Sequence, residues 1–125
     1  MNKSKTIQNF TNLNTWQEGH QLVLQIYKIL ESFPKKEQFA LSDQMRRSSI
    51  SITSNIAEGF SRQSNKEKLQ FHYIAKGSLT ELQNQLLISR DVSYLDKVTF
   101  SQLAEQTKVV SRLLTGLIRA TTHMS

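Results

Sequence analysis

Hydrophobic positions recur at helical spacing along four stretches of this chain, and three short polar breaks separate them. In the first stretch, 14–33, Trp16, His20, Val23, Tyr27 and Leu30 fall on one stripe and Leu22, Ile26, Ile29 and Phe33 on a second beside it. Gln17, Glu18, Gln21, Gln25, Lys28 and Ser32 make one polar arc of about 100°. An apolar arc of about 200° is twice what a surface helix needs. It predicts either two buried sides, one toward the core and one toward another subunit, or a helix that is central in a well-covered monomer. Asn14 or Thr15 is the expected cap, and Pro34 stops the helix because its ring clashes with the preceding turn.

The second stretch predicts a helix over 42–59, with Ser42 as cap, Asp43 in the first turn and Gly59 at the end. Met45, Ser49, Ile52 and Ile56 form a narrow apolar seam. Ser49 to Thr53 also alternates polar with apolar, a strand signal, but no second strand is available to pair with it. Ser48, Ser49, Ser51, Thr53 and Ser54 are small enough to let a neighbouring helix approach closely. On the other side Gln44, Arg47, Ser51, Asn55, Glu58 and Arg62 make a polar stripe, readable as a solvated face or as glue between helices or subunits.

A third helix is predicted over 65–93, opened by a Ser64/Glu67 capping box. Its core face collects Phe71, Ile74, Ala75, Ser78, Leu82, Leu86 and Ser89, with Leu79 at the margin. Leu69, Tyr73, Leu87 and Tyr94 lie roughly opposite. Gly77 and Ser78 in mid-helix are explained by close packing on the small-residue face of the second helix, or by a mild kink. The fourth helix, 99–121, is expected to start with a Thr99/Gln102 capping box and a Val98/Leu103 staple. Leu103, Val110 and Leu117 then recur at heptad spacing, joined by Thr107, Leu113, Leu114 and Ile118. These patterns predict an all-α, antiparallel up-and-down four-helix bundle occupying 13–125. A polar, basic tail over 1–12 is disordered or loosely docked, and Phe39, in the first loop, is expected to seal the bundle end.

Composition narrows the class. The 125 residues contain no cysteine, which excludes disulfides and thiolate metal sites, and one proline with four glycines suits long helices. No stretch approaches the roughly 20 apolar residues that cross a bilayer, and the N-terminus lacks a signal-peptide core, so a cytoplasmic protein without membrane contact is expected. Sixteen Lys and Arg against ten Asp and Glu leave a net charge of +6, which favours phosphate without demanding it.

No phosphate loop, HExxH, GxSxG or CxxC motif is present. His20, His72 and His123 lie on different segments, without carboxylates at bundle-metal spacing. His20 reads as a packing residue. Glu58 and Glu81 could meet across the second and third helices, though as structural partners rather than as an acid/base pair. Neither an enzyme nor a cofactor nor a metal is expected.

The run QMRRSSISITSNIAEGFSR, with AKGSLTEL following it, resembles the four-helix-bundle proteins encoded in intervening sequences of bacterial 23S rRNA genes. The accessory variability proteins of diversity-generating retroelements look like relatives of that fold. The resemblance implies a bundle that assembles into a ring, typically a pentamer, with a basic surface directed at nucleic acid. Arg46, Arg47, Arg62, Lys66, Lys68 and Lys76, with Lys35 and Lys36 before them, gather around the second and third helices and are the candidate contacts. Ordinary solubilising charge explains the same residues equally well. No aromatic residues are interleaved with them in the manner of a stacking platform, so shape and charge are expected to dominate over base reading. Two functions follow: a non-enzymatic homo-oligomer that binds RNA or DNA backbone, serving as a scaffold for a nucleic-acid enzyme, or a protein-interaction module whose charge is incidental.

Overall fold

Each periodic stretch is a helix: α1 spans Asn14–Leu30, α2 Leu41–Ser61, α3 Asn65–Asp91 and α4 Lys97–Thr122. The computed structural model describes residues 7–123. Side-chain pairs show the helices running antiparallel. Ser51 meets Ser78 and Ser48 meets Gln85 between α2 and α3. Gln83 meets Thr107 between α3 and α4, while Thr15 reaches Leu113 and Glu18 meets Gln106 between α1 and α4. Along α2–α3 and α1–α4 the later residue of one helix meets the earlier of the other, and along α3–α4 Lys76 shares a groove with Arg119 while Gln83 meets Thr107. A Cβ at Gly19 would meet Thr53 near the start of α1, whereas Leu30 shares a cleft with Ser42 and Arg46, so α1 and α2 also run in opposite directions. Each helix packs on two neighbours, a square arrangement that puts one core on the bundle axis.

That core is Leu22 and Ile26 from α1, Met45, Ile52 and Ile56 from α2, Leu79, Leu82 and Leu86 from α3, and Val110 and Leu114 from α4. Side chains of this size contribute about 1.5–3 kcal/mol each when fully buried. The apolar seam expected on α2 is therefore the core, and Ser49 lies within it, wholly buried.

The helix ends correct several expectations. α1 stops at Leu30, three residues short of Phe33, and no side chain caps its start. Instead Phe10–Asn12 form a short 3-10 turn held by a capping box between Asn9 and Asn12, so this part of the expected tail is docked, while residues 1–6 lie outside the described residues. α2 begins one residue before Ser42, which is buried inside the helix; the Leu41 amide donates to the Glu37 carboxylate instead. α4 begins at Lys97 rather than Thr99, because Asp96 accepts from the Thr99 amide at 2.7 Å and outcompetes Thr99 as cap. That backbone donor holds the Asp96 carboxyl below its ordinary pKa. Val98 stays 67% exposed, so it makes no staple. Ser64 does cap α3, accepting from Glu67 N at 3.1 Å.

Phe39 does not seal the bundle end; it is 87% exposed. Phe33 takes that role, packing on Tyr94, whose hydroxyl donates to Glu37 at 2.7 Å. Ile74, expected in the core, is also exposed. Of the two small residues in α3, only Ser78 enters the α2 seam, since a Cβ on Gly77 would meet nothing within 4 Å.

Candidate nucleic-acid interface

Twenty-one residues of α2 lie between its two ends, and they divide the expected basic cluster in two. Arg46 and Arg47 sit in its first turns, near the Lys35–Glu37 turn; Arg62 caps its last, followed by Lys66 and Lys68 on α3. Arg47 and Arg62 are fifteen residues apart, about 22 Å along the axis. The six candidates are not one patch.

Several are already engaged within the fold. Arg47 pairs with Asp43 at 3.1 Å. Arg46 lies 3.9 Å from the same carboxylate and donates to the Gln38 carbonyl. Arg62 pairs with Glu58 at 2.8 Å and lies over the Phe71 ring, so Glu58 is a structural partner on its own helix. The Lys68 ammonium donates to the carbonyls of Phe60 and Gly59, satisfying the open C-terminus of α2. Lys66 and Lys76 are exposed and have no acidic partner within 4 Å among the described residues. Lys66 stands in the first turn of α3, where the helix dipole opposes a cation, so helix stability does not explain it.

The outer face of α3 and α4 contains basic residues that sequence reasoning missed. Lys108, Arg112 and Arg119 are exposed on α4 and, like Lys76 across from them, have no salt bridge among the described residues. Their spacing along α4 was the available signal: on a helical projection all three fall within one narrow arc. Lys76 and Arg119 flank a groove of about 290 Å³ between the two helices, whose lining includes Tyr73, Thr115 and His123. A second opening of about 150 Å³ continues the α3–α4 seam past Lys108, Gln83 and Phe100. Here basic residues are clustered, exposed and outside any salt bridge among the described residues.

The histidines do different work. His20 stacks on Trp16 with ring centroids 4.7 Å apart. His72 is 2% exposed, and its Nδ1 has no hydrogen-bond partner. Burial, then the nearby Lys68 charge, push its pKa below the ordinary 6.5 and keep the ring neutral. Among the described residues no three His, Cys, Asp or Glu converge as a metal site requires, and no helix is long and apolar enough to cross a membrane.

A family model described as 23S rRNA-intervening sequence protein matches residues 11–116. Among solved structures, the chain is similar to a Bacteroides thetaiotaomicron protein of unknown function from the S23 ribosomal protein family. The two are 20% identical, with a TM-score of 0.78 over 84% of this chain and 95% of the other. That likeness supports the fold alone. No curated protein matches the chain.

Proposed function

From its membership of the 23S rRNA-intervening sequence protein family, we propose that this chain is a non-enzymatic, homo-oligomeric helical bundle that binds RNA or DNA backbone through a basic surface. The observation that carries this reading is the unneutralised row Lys76, Lys108, Arg112 and Arg119 on the α3–α4 face. Lys66 adds to it from the first turn of α3. Exposed cations outside any salt bridge lose little on meeting phosphate, whereas Arg47 and Arg62 must first give up their carboxylates. Arg46, Arg47, Arg62 and Lys68 are thus secondary contacts in this reading. Binding occurs as the sum of several phosphate contacts, multiplied by the number of subunits.

Assembly is supported by apolar residues of α1 that the core leaves uncovered: Tyr27, from the first stripe, and Leu24, which belongs to neither stripe. In the single chain, Leu24 and Tyr27 remain 49% and 45% exposed, and Ile50 on neighbouring α2 is also uncovered. A second copy would cover these residues, and a ring of five is the assembly that the family resemblance implies. The same apolar surface also favours the alternative, a protein-interaction module in which the charge is incidental.

Light scattering after size exclusion, followed by RNA and duplex-DNA titrations at two salt concentrations, separates the readings. A defined oligomer whose affinity falls steeply with salt is expected. Replacing Lys108 and Arg112 by Gln lowers the salt slope by about one for each phosphate that is no longer neutralised, and the same change at Arg46 and Arg47 lowers it less. An oligomer that binds neither nucleic acid overturns the nucleic-acid reading in favour of a protein partner; a monomer overturns the assembly.

A further inference from the structure

Tyr73 is the residue on the α3–α4 face that charge does not explain. It projects from α3 with 55% of its surface exposed, and its hydroxyl makes no hydrogen bond among the described residues. Lys76 lies one helical turn further along α3, and Arg119 reaches the same groove from α4. Ile118 provides an apolar wall, while Thr115 and His123 supply polar edges. The bundle register creates this cluster, since Arg119 is 46 residues away from Tyr73 in sequence.

An aromatic ring with an open face, flanked by cations, matches one ligand chemistry well: an unpaired base with its adjoining phosphate. The ring offers a stacking surface, and the Lys and Arg side chains offer the charge for the phosphate. Arg119 also complements the C-terminal dipole of α4, a role that accounts for neither Lys76 nor the exposed tyrosine. In a duplex each base face is already covered by its neighbours, so the Tyr73 ring can be used only by a single strand or a strand end. The seam continues past Leu87 and Lys108, and Tyr73 and Leu87 are fourteen residues, about 21 Å, apart along α3. Two openings thus lie one after the other along the α3–α4 seam.

We infer that the α3–α4 groove is a single-strand subsite, in which a base stacks on Tyr73 and a neighbouring phosphate sits between Lys76 and Arg119. This rests on the nucleic-acid reading proposed above and adds a preference for unpaired strands.

The test uses the full chain with fluorescently labelled oligo(U) RNA, oligo(dT) DNA and a duplex of equal charge, followed by anisotropy. Circular dichroism confirms that each variant is folded. Tyr73→Leu keeps the apolar bulk but removes the ring. It is expected to weaken single-strand binding between about 5-fold and 150-fold, with duplex affinity and salt slope unchanged. Tyr73→Phe retains binding, because stacking needs the ring and not the hydroxyl. Lys76→Gln with Arg119→Gln lowers the salt slope for the single strands by about 0.7, the value for one phosphate no longer neutralised. If Tyr73→Leu binds single strands as tightly as the parent while the charge variant loses affinity, the stacking subsite is overturned and the backbone reading stands. If the parent chain binds the duplex but neither single strand, the subsite is likewise overturned. If it binds none of the three probes, both readings fall together.

Discussion

The two seams that flank α3 use polar residues in opposite ways. Toward α2, polar groups are buried and matched: Ser48 donates to Gln85 at 2.6 Å, Ser51 and Ser78 share a hydrogen bond at 2.7 Å, and the Asn55 amide donates to the Ser51 carbonyl. The cations along that seam are matched too, Arg62 by Glu58 and Lys68 by two carbonyls. Toward α4, the outer face holds Lys76, Lys108, Arg112 and Arg119 without salt bridges among the described residues. A basic residue count cannot distinguish these states. What differs is whether a partner lies within reach, and that decides whether a charge locks the fold or is available to a ligand.

The comparison breaks first at Gly59. A Cβ there would lie 2.7 Å from His72 Cε1 and 3.2 Å from the Lys68 carbonyl oxygen. His72 is wholly packed and the other neighbour is backbone, so neither yields easily. Gly59→Ala should lose about 1–3 kcal/mol in chemical denaturation, despite alanine's better helix propensity. Parent-like stability would mean that the α2–α3 seam is looser than its packing indicates.

Gly77 is the counterpart with open space. Nothing stands within 4 Å of an added Cβ, so Gly77→Ala should gain about 1 kcal/mol from helix propensity alone. A loss of stability, accompanied by smaller particles in light scattering, would place another subunit against that side of α3.

The smallest effect concerns pH. Above about 6.5 the His72 ring is neutral in both folded and unfolded chains. As pH falls below that value, the unfolded chain takes up a proton that the buried ring resists, because burial and Lys68 lower its folded pKa. Stability should decline across that window and level off once pH passes below the folded value. His72→Gln should flatten this part of a denaturation-versus-pH profile; an unchanged profile would assign the dependence to other groups.

Much of the fold was legible because heptad-like spacing is local. Met45, Ser49, Ile52 and Ile56 read as one seam and are one seam, fully buried. Helix starts were read less well wherever two caps compete: Asp96 displaces Thr99, and Leu41 uses the Glu37 carboxylate rather than Ser42. The candidate site was read least well. Arg46, Arg47, Arg62, Lys66, Lys68 and Lys76 are close in sequence, but a helix of 21 residues holds two groups of them at opposite ends.

The sequence by itself determined the helices and most of their buried faces, together with the bundle they build, since periodicity and chain-breaking residues act over a few turns. Family membership likewise follows from residues 11–116. Only the tertiary structure decided which charges are satisfied and which side chains share a groove. Tyr73, Lys76 and Arg119 become neighbours through the antiparallel register of α3 against α4. That register comes from packing between segments distant in sequence, and no local pattern encodes it.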